Sequence, residues 1–582
     1  MNQAPRDPHE PHDPHNLHQP HDPHDSQGTR DPLAAQASRA SRDPQDEQAL
    51  QPQQESQTKQ IPFALKGAIT PRIYQQRIFV KATAGNTLVV LPTGLGKTLI
   101  AAMLAVFKLN QNPGSKVVFL APTKPLVEQH GKTFAGCTTI DPARLVILTG
   151  DTDADKRGEA WRQATVCFMT PQTFQNDIEK GLYAVDDISL LVLDEAHRAV
   201  GEYAYCAIAR YYKEHAASPH VLAMTASPGA TMEQIDGIKQ ALFIEHVEVR
   251  DEQDPDVKPY VHDTKTEWKH VDLPAEFIGI IKSLEEEHDK VITFIKEKKL
   301  VPEDRFNSIN RKDMLGVNAR VAARLKTCRD QQEKSDLFSI LKILAVGLRL
   351  SHALELIETQ GATALLKYLE DADEKSRSPE ASGALRIFVD LVYQKNVLVL
   401  TRNLVNAGIS HPKISILTNI VTDFLRNHPE SRVIVFANFR VTVAMIVSEL
   451  KVRGIDKVER FIGQQSSGRE KGMTQKKQSE LIDRFHGGEI QVLVATSVAE
   501  EGLDIGEVDM VVFYDVVPSA IRTIQRRGRT GRKRKGKVIV LVAKNTRDES
   551  YYHAEKNKEK RMRATLKEMK DGPPPTLDAF KK

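Results

Sequence analysis

The sequence predicts an α/β fold with two parallel-sheet domains and a helical insert between them. Two observations carry this. Short apolar runs alternate with helix-patterned segments in two separate stretches, residues 61–250 and 406–555, which is the pattern of βα units around a parallel sheet. Residues 251–405 lose that alternation: after a polar linker over 251–275, helical periodicity takes over. A chain of 582 residues makes about three or four domain-sized units. Four widely spaced cysteines (Cys137, Cys167, Cys206, Cys328) form no C-x-x-C pair, so they read as free thiols in a reducing compartment. No run of about 18 apolar residues occurs and the N-terminus lacks an apolar signal core, so neither a membrane-crossing helix nor export is expected.

Residues 1–60 are rich in Pro, Gln, Asp and His, bury too little apolar surface to offset ordering entropy, and are expected to be disordered. His9, His12, His15, His18, His21 and His24 recur every third residue and would share one face of a polyproline II helix; a metal-binding tract and a plain low-complexity tail both fit. This segment holds ten acidic and five basic residues against a net charge of +4 for the chain, so the remainder carries about +9, compatible with a nucleic-acid partner.

In the first sheet domain the apolar runs are Thr87–Leu91, Val117–Leu120, Leu145–Leu148, Val166–Met169, Leu190–Leu193 and Val221–Met224. The first leads into Pro92-Thr93-Gly94-Leu95-Gly96-Lys97-Thr98 and then an apolar helix. A strand, a glycine loop and a helix N-terminus form an anion site, in which backbone N–H groups and the helix dipole meet a phosphate. Lys97 would reach the β- and γ-phosphates and Thr98 would ligate Mg²⁺. The usual pattern opens with Gly, where this chain has Leu91. The fifth run delivers Asp194 and Glu195 to a strand end: Asp194 suits Mg²⁺, and Glu195 suits orientation and deprotonation of a water. The sixth ends in Thr225-Ala226-Ser227, hydroxyls that fit either a polar turn or a bond across a domain cleft.

The insert reads as helices over Phe277–Glu297, Val317–Glu333, Leu337–Glu358, Ala362–Leu369 and Ala384–Leu400. Its basic cluster Arg311, Lys312, Arg320, Arg324, Lys326 and Arg329 fits a solvated face or a duplex-facing surface equally. The second sheet domain, with runs Val433–Ala437, Val492–Ala495, Val511–Tyr514 and Val538–Val542, has no phosphate loop. It offers Gln525, Arg529 and Arg532 instead, fixed-fork donors suited to a γ-phosphate brought in by domain closure. Beyond Val542 the chain reads as charged and helical up to Lys570, and residues 556–582 as a basic C-terminal tail whose extended end carries Leu577 and Phe580.

With these motifs in order, residues 65–555 resemble a superfamily 2 helicase with a DEAH box. The resemblance implies two RecA-like domains that hold ATP between them and grip nucleic acid across both. It implies adenine-side contacts at Arg72 and Gln75, further nucleotide contacts at Gly502 and Asp504, and nucleotide-to-grip coupling through His197, Thr225 and Ser227. Nucleic-acid contacts are implied at Thr123, Lys124, Gly150, Thr170, Gln475, Lys476 and Thr496, hydroxyls and backbone suited to phosphates irrespective of base. Phe461-Ile462-Gly463-Gln464, Gly472-Met473-Thr474-Gln475-Lys476-Lys477-Gln478 and His411-Pro412-Lys413 resemble the Hef/FANCM branch, parts of which RIG-I-like and Dicer helicases share. That branch implies an ATP-driven translocase that remodels forked or branched DNA, nucleoid-associated in the cytoplasm. Hef also carries an XPF-type nuclease, whose Glu-Arg-Lys cluster is not found here, so no nuclease activity is expected. The terminal tail resembles a sliding-clamp-binding peptide without its leading Gln. The alternatives are a duplex-RNA-stimulated ATPase of the RIG-I type and a non-catalytic DNA-binding scaffold.

Overall fold

The computed structural model of the chain describes residues 62–229, 231–260, 265–464, 472–496, 508–516 and 536–571. Seven parallel strands form the first sheet: β1 (Thr87–Val90), β2 (Lys116–Leu120), β3 (Leu145–Leu148), β4 (Val166–Met169), β5 (Ile188–Leu193), β6 (Val221–Thr225) and β7 (His246–Val249), in the order β3-β4-β2-β5-β6-β1-β7. Helices cover both faces, so the inner strands are buried throughout and read as unbroken apolar runs. The edge strand β7 escapes such a reading because Glu248 interrupts it. That carboxylate is buried yet paired with Lys81 at 2.6 Å and Arg250 at 3.2 Å.

The second sheet is also parallel: β8 (Lys265–Val271), β9 (Val433–Phe436), β10 (Val458–Phe461), β11 (Val492–Ala495), β12 (Met510–Phe513) and β13 (Lys537–Ala543), in the order β10-β11-β9-β12-β13-β8. Here the reading of 251–275 as a linker is corrected. Lys265–Val271 pairs with β13 over its whole length, and Trp268 packs on the second core, so the chain joins the second sheet before it enters the insert.

The insert is a helical bundle of Ala275–Glu297, Arg311–Thr327, Gln331–Glu355, Ala362–Ser376, Gly383–Gln394 and Val397–Asn406, packed around Ile280, Leu344, Leu350 and Phe388. The segment expected as one helix over 384–400 breaks at Asn396, which takes a left-handed conformation (φ 54°) and starts a new helix. The helix Gln331–Glu355, with the π-helical turn Leu356–Gln360 that follows it, contains an 18-residue stretch long and apolar enough to cross a membrane by length and composition alone, against expectation. Its Leu344, Leu350 and Leu354 lie instead in the bundle core. Much of the basic cluster is used internally: Arg311 pairs with Glu355 at 3.1 Å, Arg324 with Glu333 at 2.8 Å, and Arg320 donates to the Leu300 carbonyl at 2.9 Å.

A buried polar joint fastens the insert to the second sheet. The Lys413 ammonium, fully buried, donates to the carbonyls of Tyr514 (3.0 Å) and Thr359 (3.3 Å) and pairs with the Asp548 carboxylate. Gln360 donates to Asp515 at 2.5 Å and accepts from Thr442 at 2.6 Å. His411 donates from Nε2 to the Glu358 carbonyl at 2.9 Å, and burial pushes its pKa down to about 3, so the ring is neutral. Gly361 (φ 98°) passes so close that a Cβ there would sit 2.8 Å from the His411 Cβ.

The C-terminal helix Arg547–Asp571 starts in this joint, at Asp548 and at Arg547, which pairs with Glu358. It ends against the first domain, where Leu566 and Met569 pack on the core and Lys570 pairs with Asp251 (2.6 Å) and Asp254 (2.7 Å). Residues 556–571 continue the helix expected up to Lys570, and what the sequence did not show is that this helix is docked at both ends.

Removing one partner of a buried ion pair leaves the other charge uncompensated, at about 3–5 kcal/mol. Asp548→Ala should cost about that in denaturant unfolding of the second sheet and insert. The double change Lys413→Met with Asp548→Leu should recover most of the loss. Equal instability of the single and double variants would contradict the joint's role.

Candidate nucleotide-binding site

The phosphate loop hangs between β1 and the helix Lys97–Gln111. Leu91 continues β1, donating to the Thr225 carbonyl at 3.0 Å, and is fully buried, so its side chain is part of the core and not of the cradle. Pro92, Thr93, Gly94 and Leu95 turn the chain, with Gly94 (φ 81°) and Gly96 (φ 79°) both left-handed. Gly96 is also pressed from behind: a Cβ there would meet Gln75 Nε2 at 2.4 Å. Gln75 and Tyr74, from the helix Ile73–Ala82, brace the loop by donating to the Leu95 carbonyl at 3.0 and 2.7 Å. Arg72 caps that helix and lays its guanidinium 4.4 Å over the Tyr260 ring. The Lys97 ammonium is held on the loop's own Leu91 carbonyl at 2.9 Å, the place from which it would reach a phosphate.

At the end of β5, Asp194 is buried and accepts from His130 Nε2 at 2.9 Å. Burial pushes its carboxyl up, but the His130 hydrogen bond and the Lys97 charge outweigh this and hold it below the usual range, so it is a carboxylate. His130 also meets the Thr98 hydroxyl, 3.1 Å from Nδ1. Glu195 takes a left-handed conformation (φ 51°), which costs a non-glycine residue about 1–3 kcal/mol and persists where the surroundings impose it. Its Oε2 is buried with no hydrogen-bond partner and lies 3.3 Å from His197 Nδ1. A strained carboxylate with an unsatisfied oxygen beside a phosphate loop can take a proton from water. His197 Nδ1 is also 3.1 Å from Thr225 Oγ1, which accepts from the Ser227 backbone N–H at 3.1 Å, so the three residues expected to couple nucleotide and grip form one chain.

The nucleic-acid candidates take the other half of the same edge. Thr123 follows β2, Gly150 follows β3 and Thr170 follows β4. Thr170 bonds Thr173 at 2.8 Å, the Thr123 hydroxyl is buried without a partner, and Lys124 pairs with Asp151. Along the sheet order, β3-β4-β2 carry these residues and β5-β6-β1 carry the nucleotide motifs. In the second sheet Thr496 follows β11, and Gln475 and Lys476 open the helix Gln475–His486 beyond β10, the neighbouring strand. Gly502, Asp504, Gln525, Arg529 and Arg532 lie outside the described residues, as do the histidine tract and the Leu577/Phe580 end.

Residues 72–235 match the DEAD/DEAH box helicase family, 412–534 the helicase conserved C-terminal domain, and 279–407 the helical bundle of a putative ATP-dependent RNA helicase family. The crystal structure of the Pyrococcus furiosus Hef helicase domain is 44% identical, with a TM-score of 0.62, covering 83% of this chain and 98% of that one. The chain belongs to the Hef-type DEAD/DEAH-box helicases. A putative ATP-dependent RNA helicase of Methanocaldococcus jannaschii is 37% identical over 87% of this chain and 62% of its own length. The ATP-dependent DNA helicase mph1 of Neurospora crassa is 33% identical over 84% of this chain and 42% of its own length. The chain thus spans less than two thirds of the length of these two curated relatives.

Hef-type membership accounts for the phosphate loop, the acidic pair and the helical insert. The structure adds His130 and Met562 to these motifs. His130 is 32 residues from Thr98 and 64 from Asp194, and no local pattern joins them. Met562, on the C-terminal helix, seals Ser227 with Sδ 3.1 Å from Oγ. Met562→Arg would force a cation into that buried contact. Hydrogen exchange should then rise over 560–571 while 547–552, anchored in the joint, stays protected. Uniform exchange along the helix would contradict docking at two separate ends.

Proposed function

We propose that this chain is an ATP-driven DNA helicase or translocase that remodels forked or branched DNA. The observation that carries the reading is the division of one sheet edge into a nucleotide half and a hydroxyl-lined half on adjoining strands β5 and β2. The DNA-helicase names of the fungal relatives support the substrate. Sites at a replication fork, in the cytoplasm at the nucleoid, and a clamp contact through Leu577 and Phe580 belong to the same reading.

ATP would sit with its phosphates on the N–H groups of Gly94–Thr98 and on Lys97, its base toward Arg72 and Gln75. Thr98 and Asp194 suit Mg²⁺: a hydroxyl and a carboxylate converge on one ring, and hard oxygen donors leave the remaining positions to phosphates and water. Thr98 and Asp194 would hold the ion, whose chemistry there would be to neutralise phosphate charge. Glu195 orients the water and takes its proton. Arg529 and Arg532 would supply cations to the γ-phosphate on closure, a role read from the motif they share with Gln525. His197 reports the state of Glu195 to Thr225 and Ser227. Nucleic acid held from Thr123, Gly150 and Thr170 across to Thr496 and Gln475 favours the closed form by its greater affinity for it.

A second reading, an ATPase stimulated by duplex RNA, draws on the RNA-helicase description of the matched helical bundle and of the archaeal relative. ATP hydrolysis measured with single-stranded, duplex and forked DNA and with duplex RNA separates the two. Forked DNA should stimulate most. Lys97→Ala should abolish turnover, and Arg532→Ala should lower it by about 10³-fold. Greater stimulation by duplex RNA would replace the DNA reading, and near-normal turnover by Arg532→Ala would reject its role.

A further inference from the structure

His130 lies outside the phosphate loop and outside the Asp194-Glu195 pair, yet it touches both. It sits on the helix Lys124–Cys137, one strand away from β5, and is only 6% exposed. Its ring packs against Phe119 of β2, with ring centroids 4.3 Å apart, which fixes its plane. Nε2 is 2.9 Å from Asp194 Oδ2 and Nδ1 is 3.1 Å from Thr98 Oγ1.

The hydrogen-bond directions follow from the partners. A carboxylate only accepts, so the proton is on Nε2. In the tautomer with its one proton on Nε2, the ring has a lone pair at Nδ1 and the Thr98 hydroxyl donates to it. Each bond prepares its partner for a cation. The Thr98 proton is turned onto the ring, so the oxygen's lone pairs remain available. Asp194 is held in one rotamer through one oxygen, and a carboxylate has about four acceptor sites in all. A histidine that merely filled space would need neither bond, and an apolar residue of its size would leave both partners short of one.

We propose that His130 is the positioning residue for the metal ion that accompanies ATP, orienting Thr98 and Asp194 together from behind. The proposal rests on the Mg²⁺ reading above. Partners in this outer shell characteristically cost about 10–100-fold in metal affinity when removed. The linkage is also economical in the fold. The same helix begins at Thr123 and Lys124, so one rigid element runs from the hydroxyl-lined half of the edge to the metal ligands.

The test is a binding measurement on the full chain. Mg²⁺ is titrated into protein with a fluorescent, non-hydrolysable ATP analogue, for the native chain, His130→Phe and His130→Gln. Analogue affinity in EDTA should stay within about twofold throughout, because the loop contacts are untouched. Half-saturating Mg²⁺ should rise about 10–100-fold in His130→Phe. It should rise less in His130→Gln, whose amide both donates and accepts. Should His130→Phe fail to fold, the rise in His130→Gln decides. An unchanged half-saturation in the variants overturns the proposal, and so does an equal loss of affinity with and without metal, which marks a packing role. If the native chain itself ignores Mg²⁺, the metal reading falls and takes the proposal with it.

Discussion

In a parallel sheet every strand delivers its last residue to the same edge, and the structure depends on that constraint. Thr98, Asp194 and Thr225 are far apart in sequence. They meet because β1, β5 and β6 are neighbours that point the same way. The β2–β5 pairing then sets a second group of loops directly beside them. The second sheet repeats the arrangement without a phosphate loop, which leaves it free to offer Thr496 and the segments that follow β11 and β12.

What surrounds the two sheets fastens them differently. The insert is tied to the second sheet by buried polar contacts around Lys413, Gln360 and His411, a costly arrangement unless every group is paired. The C-terminal helix begins in that joint and finishes on the first domain through Met562 and the Lys570 pairs. Anything that moves the insert is thus connected both to Asp515, just beyond β12, and, along one helix, to Ser227.

Much of this was legible in the residues. Runs such as Val166–Met169 and Val492–Ala495 are unbroken because both faces of those strands are covered, so apolar content alone locates them. The phosphate loop and Asp194-Glu195 are local in sequence and equally plain. What escaped notice has long-range causes. β7 and β8 carry charged side chains that only tertiary ion pairs make tolerable at a sheet edge, Glu248 with Lys81 and Glu267 with Lys537 at 3.5 Å. The C-terminal helix is legible as a helix, but its docking is not, because Met562, Leu566 and Met569 are sparse among charged residues. His130 looked like one more helix residue, because its significance lies in two partners from other elements.

The central claim is that nucleotide and nucleic acid occupy two halves of one coupled edge, and reciprocal binding tests it most directly. The affinity of forked DNA is measured with and without a saturating non-hydrolysable ATP analogue, and the affinity of the analogue with and without saturating forked DNA. The account predicts that each ligand tightens the other by the same factor, about 5–150-fold. Independent binding, with a factor of one in both directions, would contradict it.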